Sequence, residues 1–142
     1  MINFLWLEVH TLFASKEDDE YMRFDKFTIK SQELIQNAQS LASRLNNQQI
    51  EPEHLLAAML DERDGIAVAM LRKLGASPGE IAQQVKAAVD RLPKISGSAP
   101  TDVYISPRTK AVLEQAFSEA TKMKDEYVSI EHILLAISEE TV

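Results

Sequence analysis

The sequence predicts an all-α fold, a pseudo-two-fold duplicated helical repeat whose second copy is incomplete. Three observations carry that reading. A stretch of 13 residues occurs twice, Ile50–Glu62 as IEPEHLLAAMLDE and Val128–Glu140 as VSIEHILLAISEE. The offset of 78 residues (128 minus 50) holds upstream without a gap, setting Thr28 on Ser106, Ala38 on Ala116, Ser40 on Ser118 and Ala42 on Ala120. The composition, 45% hydrophobic and only 6% aromatic, is globular and helix-leaning. A shared period this long marks one supersecondary unit used twice, its copies expected to bury apolar faces against each other.

Taken in order, the first helix is expected from Thr28, a good N-cap, to about Asn46. Its buried stripe is Leu34, Ile35, Ala38, Leu41, Ala42 and Leu45. The second helix starts at Pro52, which suits the first helical position because its missing N–H would lack a partner there anyway. Leu55, Leu56, Met59 and Leu60 form its core face. Gly65 permits a turn into a third helix carrying Ile66, Ala69, Met70 and Leu74, and Gly75 is its left-handed stop. Ser77-Pro78-Gly79-Glu80 then reads as a full start signal: Ser cap, Pro at the first position, Glu reaching back from the third. The fourth helix buries Ile81, Val85, Ala88, Val89 and Leu92, and Pro93 closes it. The second copy opens on Ser106-Pro107 with a fifth helix burying Val112, Leu113, Ala116, Phe117, Ala120 and Met123. A sixth helix follows Ser129, with Ile133, Leu134 and Ile137 inward. Val142 falls opposite Asp64 (142 minus 78), so the counterparts of the third and fourth helices are not expected within residues 1–142.

This divides the chain into an N-terminal extension, 1–21, and a repeat domain, 22–142. The domain comprises repeat one (22–93), a Gly-, Ser- and Pro-containing linker (94–105) and a partial repeat two (106–142). The extension opens MINFLWLEVHTLFA, which lacks a basic n-region and carries Glu8 inside its apolar part, so it is not expected to be an export signal. Its Ile2, Leu5, Trp6, Val9, Leu12 and Phe13 follow a helical rhythm, and the segment is expected to be mobile or loosely docked. One candidate resting place is the apolar surface that repeat two leaves uncovered.

A net charge of -7 argues against nucleic acid as a partner, because phosphate binding needs clustered Lys and Arg. Without cysteine there is no disulfide, thiolate nucleophile or sulfur-ligated metal. No apolar run is long enough to cross a bilayer, and a cytoplasmic location is expected.

The segments MRFDKFTIKSQELIQNAQSLA, IEPEHLLAAMLDE, GIAVAMLRKLG and AVDRLPKISG resemble the N-terminal domains of ClpB-type AAA+ disaggregases, within the Clp N-terminal repeat family. The duplicated E-H-[LI]-L core is that family's mark, and the resemblance covers Met22–Val142. It implies a helical pseudo-repeat domain, tethered to ATPase rings, that engages unfolded or aggregated polypeptide and passes it to a central pore. Adaptor proteins are a further partner class. The family's substrate surface lies between the start of the first helix and the junction of the fifth and sixth. Thr28, Asp125 and Glu131 match its polar positions, while Gln115, Glu119 and His132 stand where the family groove is apolar. The four glycines offer no G-x-x-x-x-G-K-[ST], so no ATP binding of the family kind is expected from this chain. No cofactor is expected, and the chain is read as non-catalytic.

Glu53 and Glu131 look like paired carboxylates, yet each stands in the first turn of a helix, where a negative side chain complements the macrodipole. No nucleophile or second acid recurs beside them. Resemblance to the ClpC branch offers another role, gripping phosphoarginine through two-pronged bonds, and adds Glu53 to the candidate substrate-binding residues Thr28, Asp125 and Glu131. That branch has Gly-Thr ahead of the glutamate, where Glu51-Pro52 and Ser129-Ile130 stand here. His54 and His132 have no second histidine at i+4, so neither is assigned a metal. Both read as helix-start residues packing at the repeat interface.

Overall fold

A computed structural model describes residues 24–97 and 103–140. The expectations for residues 1–21, including the docking of the extension, lie outside these residues, as does the middle of the linker. After a 3-10 turn (Phe24–Lys26) come α1 (Ile29–Arg44), β1 (Gln49–Ile50), α2 (Pro52–Asp61), α3 (Ile66–Lys73) and α4 (Pro78–Asp90). Then follow β2 (Tyr104–Ile105), α5 (Pro107–Lys122) and α6 (Ile130–Ser138). Among the described residues, six α-helices with two strands of two residues each make the fold all-α, as expected.

The local signals act where the sequence places them. Thr28, Ser77 and Ser106 cap α1, α4 and α5, each accepting the N–H three residues on. Pro52, Pro78 and Pro107 each occupy a first-turn position. Gly75 ends its helix with φ 82. In α1 the side chains of Leu34, Ile35, Ala38 and Ala42 are buried, whereas Leu41 and Leu45 sit at its margin.

Three expectations are corrected. In α3 the buried side chains are Ala67 and Val68, while Ile66 is 46% and Leu74 79% exposed, and Ala69 is also exposed. The eight residues IAVAMLRK are apolar over both candidate faces, so periodicity alone does not fix the phase. Packing against α2 and α6 decides it and draws Ala67 into the main core. Secondly, the linker does not stay irregular to its end: Tyr104–Ile105 pairs in parallel with Gln49–Ile50, and Val103 is buried. Met123, expected inside, is 53% exposed.

Both copies contribute to one core, from Phe27, Leu34, Ile35, Ile50 and Leu55 in repeat one to Val112, Leu113, Val128 and Ile133 in repeat two. The α1–α2 and α5–α6 pairs each pack closely, and α4 lies over α2. Strand pairing shows the duplication directly. Ile50 pairs with Ile105, and an isolated bridge joins Phe27 to Val128. Adding 78 to Phe27 and Ile50 gives Ile105 and Val128, so the two contacts are one contact made twice. Each copy lends its entry segment to the strand that precedes the other copy's second helix.

Candidate functional site

The duplication reaches individual hydrogen bonds at these two junctions. At one, the Thr28 amide donates to Val128 O (3.0 Å) and the Ser31 hydroxyl donates to the same oxygen (2.9 Å). At the other, the Ser106 amide and the Thr109 hydroxyl donate to Ile50 O at 3.2 and 2.7 Å. A short loop before each second helix turns through a left-handed residue, Asn46 (φ 59) or Lys124 (φ 61). Asn and a lone exposed residue tolerate that backbone at modest cost.

The two histidines, expected to pack at the repeat interface, are buried, and each is bonded to residues of its own copy in one pattern. His54 Nδ1 accepts the Glu51 amide (2.8 Å) while Nε2 meets Asn47 Oδ1 (2.9 Å). His132 Nδ1 accepts the Ser129 amide (2.9 Å) while Nε2 meets Asp125 Oδ2 (2.8 Å). Because Nδ1 takes a backbone proton, the neutral ring carries its own proton on Nε2 and donates it onward. Burial holds the His54 pKa below its ordinary value, with the neighbouring Glu53 charge opposing. Among the described residues no group of His, Asp and Glu is arranged to hold a metal ion.

The junctions differ in what they expose. Ile29 (51% exposed) and Tyr127 (47%) flank the Phe27–Val128 bridge, with Lys26 Nζ 5.9 Å from the Tyr127 ring centroid, and Met123, which caps the end of α5 ahead of Val128, is 53% exposed. Thr28, Asp125 and Glu131 belong to this junction. Thr28 is half-buried, and its hydroxyl caps α1 and donates to Ser31 Oγ. Asp125 is bound to His132, with half its side chain in solvent, and exposed Glu131 accepts the Ser129 hydroxyl at 2.8 Å. Phe117 stacks edge-on against Phe27 beneath them, 5.1 Å between ring centroids.

Glu53 lies at the other junction, so the four candidate residues do not form one site. There the Arg108 guanidinium lies 3.3 Å from Glu53 and 3.8 Å from Glu51, and its Nε donates to Glu140 Oε1 at 3.0 Å. The hydrogen bond to Glu140, with the Glu53 charge beyond it, raises the Arg108 pKa. The offset makes Arg108 the counterpart of Lys30, which lies 3.9 Å from Glu62, itself the counterpart of Glu140. Lys30 reaches Glu33 and Glu62 and forms no ion pair with Glu131. The Arg108 cluster was not foreseen; its signal was the pairing of Arg108 with Lys30 under the 78-residue offset.

Two surface grooves follow the same rule. One, a cavity of about 250 Å³, lies among Lys30, Leu34, Asn37, Ala58 and Glu62 and is walled by Gly65–Ala67 of α3. The other, about 710 Å³, lies among their counterparts Arg108, Val112, Gln115, Ala136 and Glu140 and has no such wall among the described residues. Two of the positions that depart from the family groove, Gln115 and Glu119, bond to each other at 2.8 Å. Lys122 lies 3.7 Å from Glu119. The third, His132, is committed to its clasp.

The family described as "Clp repeat (R) N-terminal domain" matches residues 26–142. The "Chaperone protein ClpB" of Porphyromonas gingivalis is 43% identical over 116 residues, 82% of this chain and 13% of that protein. The chain thus spans about an eighth of the length of that curated relative. Among solved structures, the Hsp104 N-terminal domain from Candida albicans superposes with a TM-score of 0.72 at 28% identity, covering 80% of this chain and 74% of that one. A ClpV N-domain solved in complex with a VipB peptide shares the fold, with a TM-score of 0.67 at 19% identity and coverage of 80% and 68%.

Proposed function

Because this chain belongs to the Clp repeat N-terminal family, we propose that it is the substrate-engaging domain of a ClpB-like disaggregase. It captures unfolded or aggregated polypeptide for delivery to ATPase rings carried by the same full-length protein, in the cytoplasm. The domain itself is non-catalytic. The observation that carries the reading is the face over the Phe27–Val128 junction. Ile29, Met123 and Tyr127 expose apolar surface there, bordered by the Glu131 carboxylate and the Thr28 cap. Such a face suits weak contact with many apolar segments, made effective by several copies raising the local concentration around a ring. The peptide held by the ClpV N-domain supports the same use of this fold.

A second reading, docking of an adaptor or of phosphoarginine in the manner of ClpA or ClpC, finds less support at Glu53. That carboxylate already faces the chain's own guanidinium from Arg108.

The test is fluorescence anisotropy with a labelled, permanently unfolded protein such as reduced, carboxymethylated α-lactalbumin. Tyr127→Ala should weaken binding about three- to tenfold, the range for an aromatic contact residue. Tyr104→Ala, equally exposed at the opposite junction, should leave it unchanged. Equal effects from both, or no binding by the unaltered chain, would refute the reading. Thr28→Ala is a poor probe, since losing a cap costs about 1 kcal/mol of stability by itself.

A further inference from the structure

We propose that Asp125 is a positioning residue for this face and does not touch the client. Its carboxylate holds the His132 ring, which in turn fixes the start of α6 and with it Glu131. The proposal rests on the reading of the Phe27–Val128 face given above.

The chain of contacts is short. Asp125 Oδ2 lies 2.8 Å from His132 Nε2, and His132 is only 4% exposed. On the ring's far side Nδ1 accepts the Ser129 amide at 2.9 Å, and the Ser129 hydroxyl donates to Glu131 Oε2 at 2.8 Å. Removing the acceptor at Asp125 leaves a buried ring proton without a partner and lets the imidazole turn. The Ser129 amide then loses its acceptor, and the Glu131 carboxylate loses its fixed place on the face.

The other repeat supplies the control. Asn47, the counterpart of Asp125 (47 plus 78), meets His54 Nε2 at 2.9 Å, and that ring accepts the Glu51 amide in the same way. Asn47 is 2% exposed, with its amide also donating to Pro93 O at 3.0 Å, so no client can reach it. In that copy the position serves structure alone, and a neutral amide serves as well as a carboxylate. What the position needs is a hydrogen-bond acceptor, not a charge.

The test compares Asp125→Asn, which keeps the acceptor, with Asp125→Ala, which removes it, using carboxymethylated α-lactalbumin as the probe. Nitrogen-15 spectra of the client-free proteins follow the Ser129 and Glu131 amides and the His132 ring nitrogens. Asp125→Asn should bind within about twofold of the unaltered chain and keep the proton on His132 Nε2, whereas Asp125→Ala should weaken binding about fivefold and shift both amides. Asp125→Asn weakening binding as much as Asp125→Ala, with both amides unmoved, would place the carboxylate on the client and overturn the proposal. Unmoved amides and ring nitrogens in Asp125→Ala would overturn it equally, even were no variant to bind the probe. Failure of the unaltered chain to bind would instead sink the reading of the face and leave the spectra to decide the hold.

Discussion

At the scale of single residues, two histidines set the tolerances of the molecule. His54 is fully buried, accepts a backbone amide on one nitrogen and donates to a neutral amide through the other, so charging it breaks one bond and desolvates the charge. Its folded pKa is lowered, so below the unfolded value of about 6.5 the unfolded chain takes up the proton first. The stability it contributes is therefore complete above that pH and is lost as pH falls from there through the lowered folded value. Thermal unfolding should show a lower Tm at pH 5.5 than at pH 7.5, and His54→Gln should flatten that slope while lowering stability at both. A Tm unchanged between the two pH values would contradict this. The residues E-H-[LI]-L were visible in sequence as a repeated motif, and the two histidines of that motif are both buried. The Asn47 and Asp125 partners were not, because they stand seven residues away across a loop whose left-handed turn brings them back.

At the scale of elements, starts and stops were the most legible features, since caps and prolines act through neighbours only a few residues off. Phase was less so. A strong stripe such as that of α1 is unambiguous, but α3 is two turns long and apolar on more than one side, and its partner lies on α6, far along the chain. The observed phase predicts that Leu74→Gln changes stability by less than about 0.5 kcal/mol, as exposed substitutions do. Val68→Ala should cost about 1–2 kcal/mol, from the lost methyl groups and the space they leave. Urea denaturation checks both, and the reverse order would restore the phase expected from sequence. The strands Gln49–Ile50 and Tyr104–Ile105 were missed because two residues give no alternation to read, and their pairing spans the two copies.

At the scale of the whole molecule, duplication was the clearest signal in the sequence, and it persists in strands, caps and histidine clasps. The proposed function depends on where that symmetry fails. One junction carries exposed Ile29, Met123 and Tyr127, while at the other Arg108 gathers Glu51, Glu53 and Glu140. Resemblance to the ClpC branch set Glu53 beside Glu131 among the candidates, and their equivalence by repeat puts them at opposite junctions. The most direct measurement is a methyl and amide NMR titration of the chain with carboxymethylated α-lactalbumin. Saturable shifts should cluster on Ile29, Met123, Tyr127 and Glu131 and leave Tyr104, Arg108 and Glu53 unmoved. Shifts centred instead on Arg108 and Glu53, or spread evenly over both junctions, would contradict the assignment of a single client face.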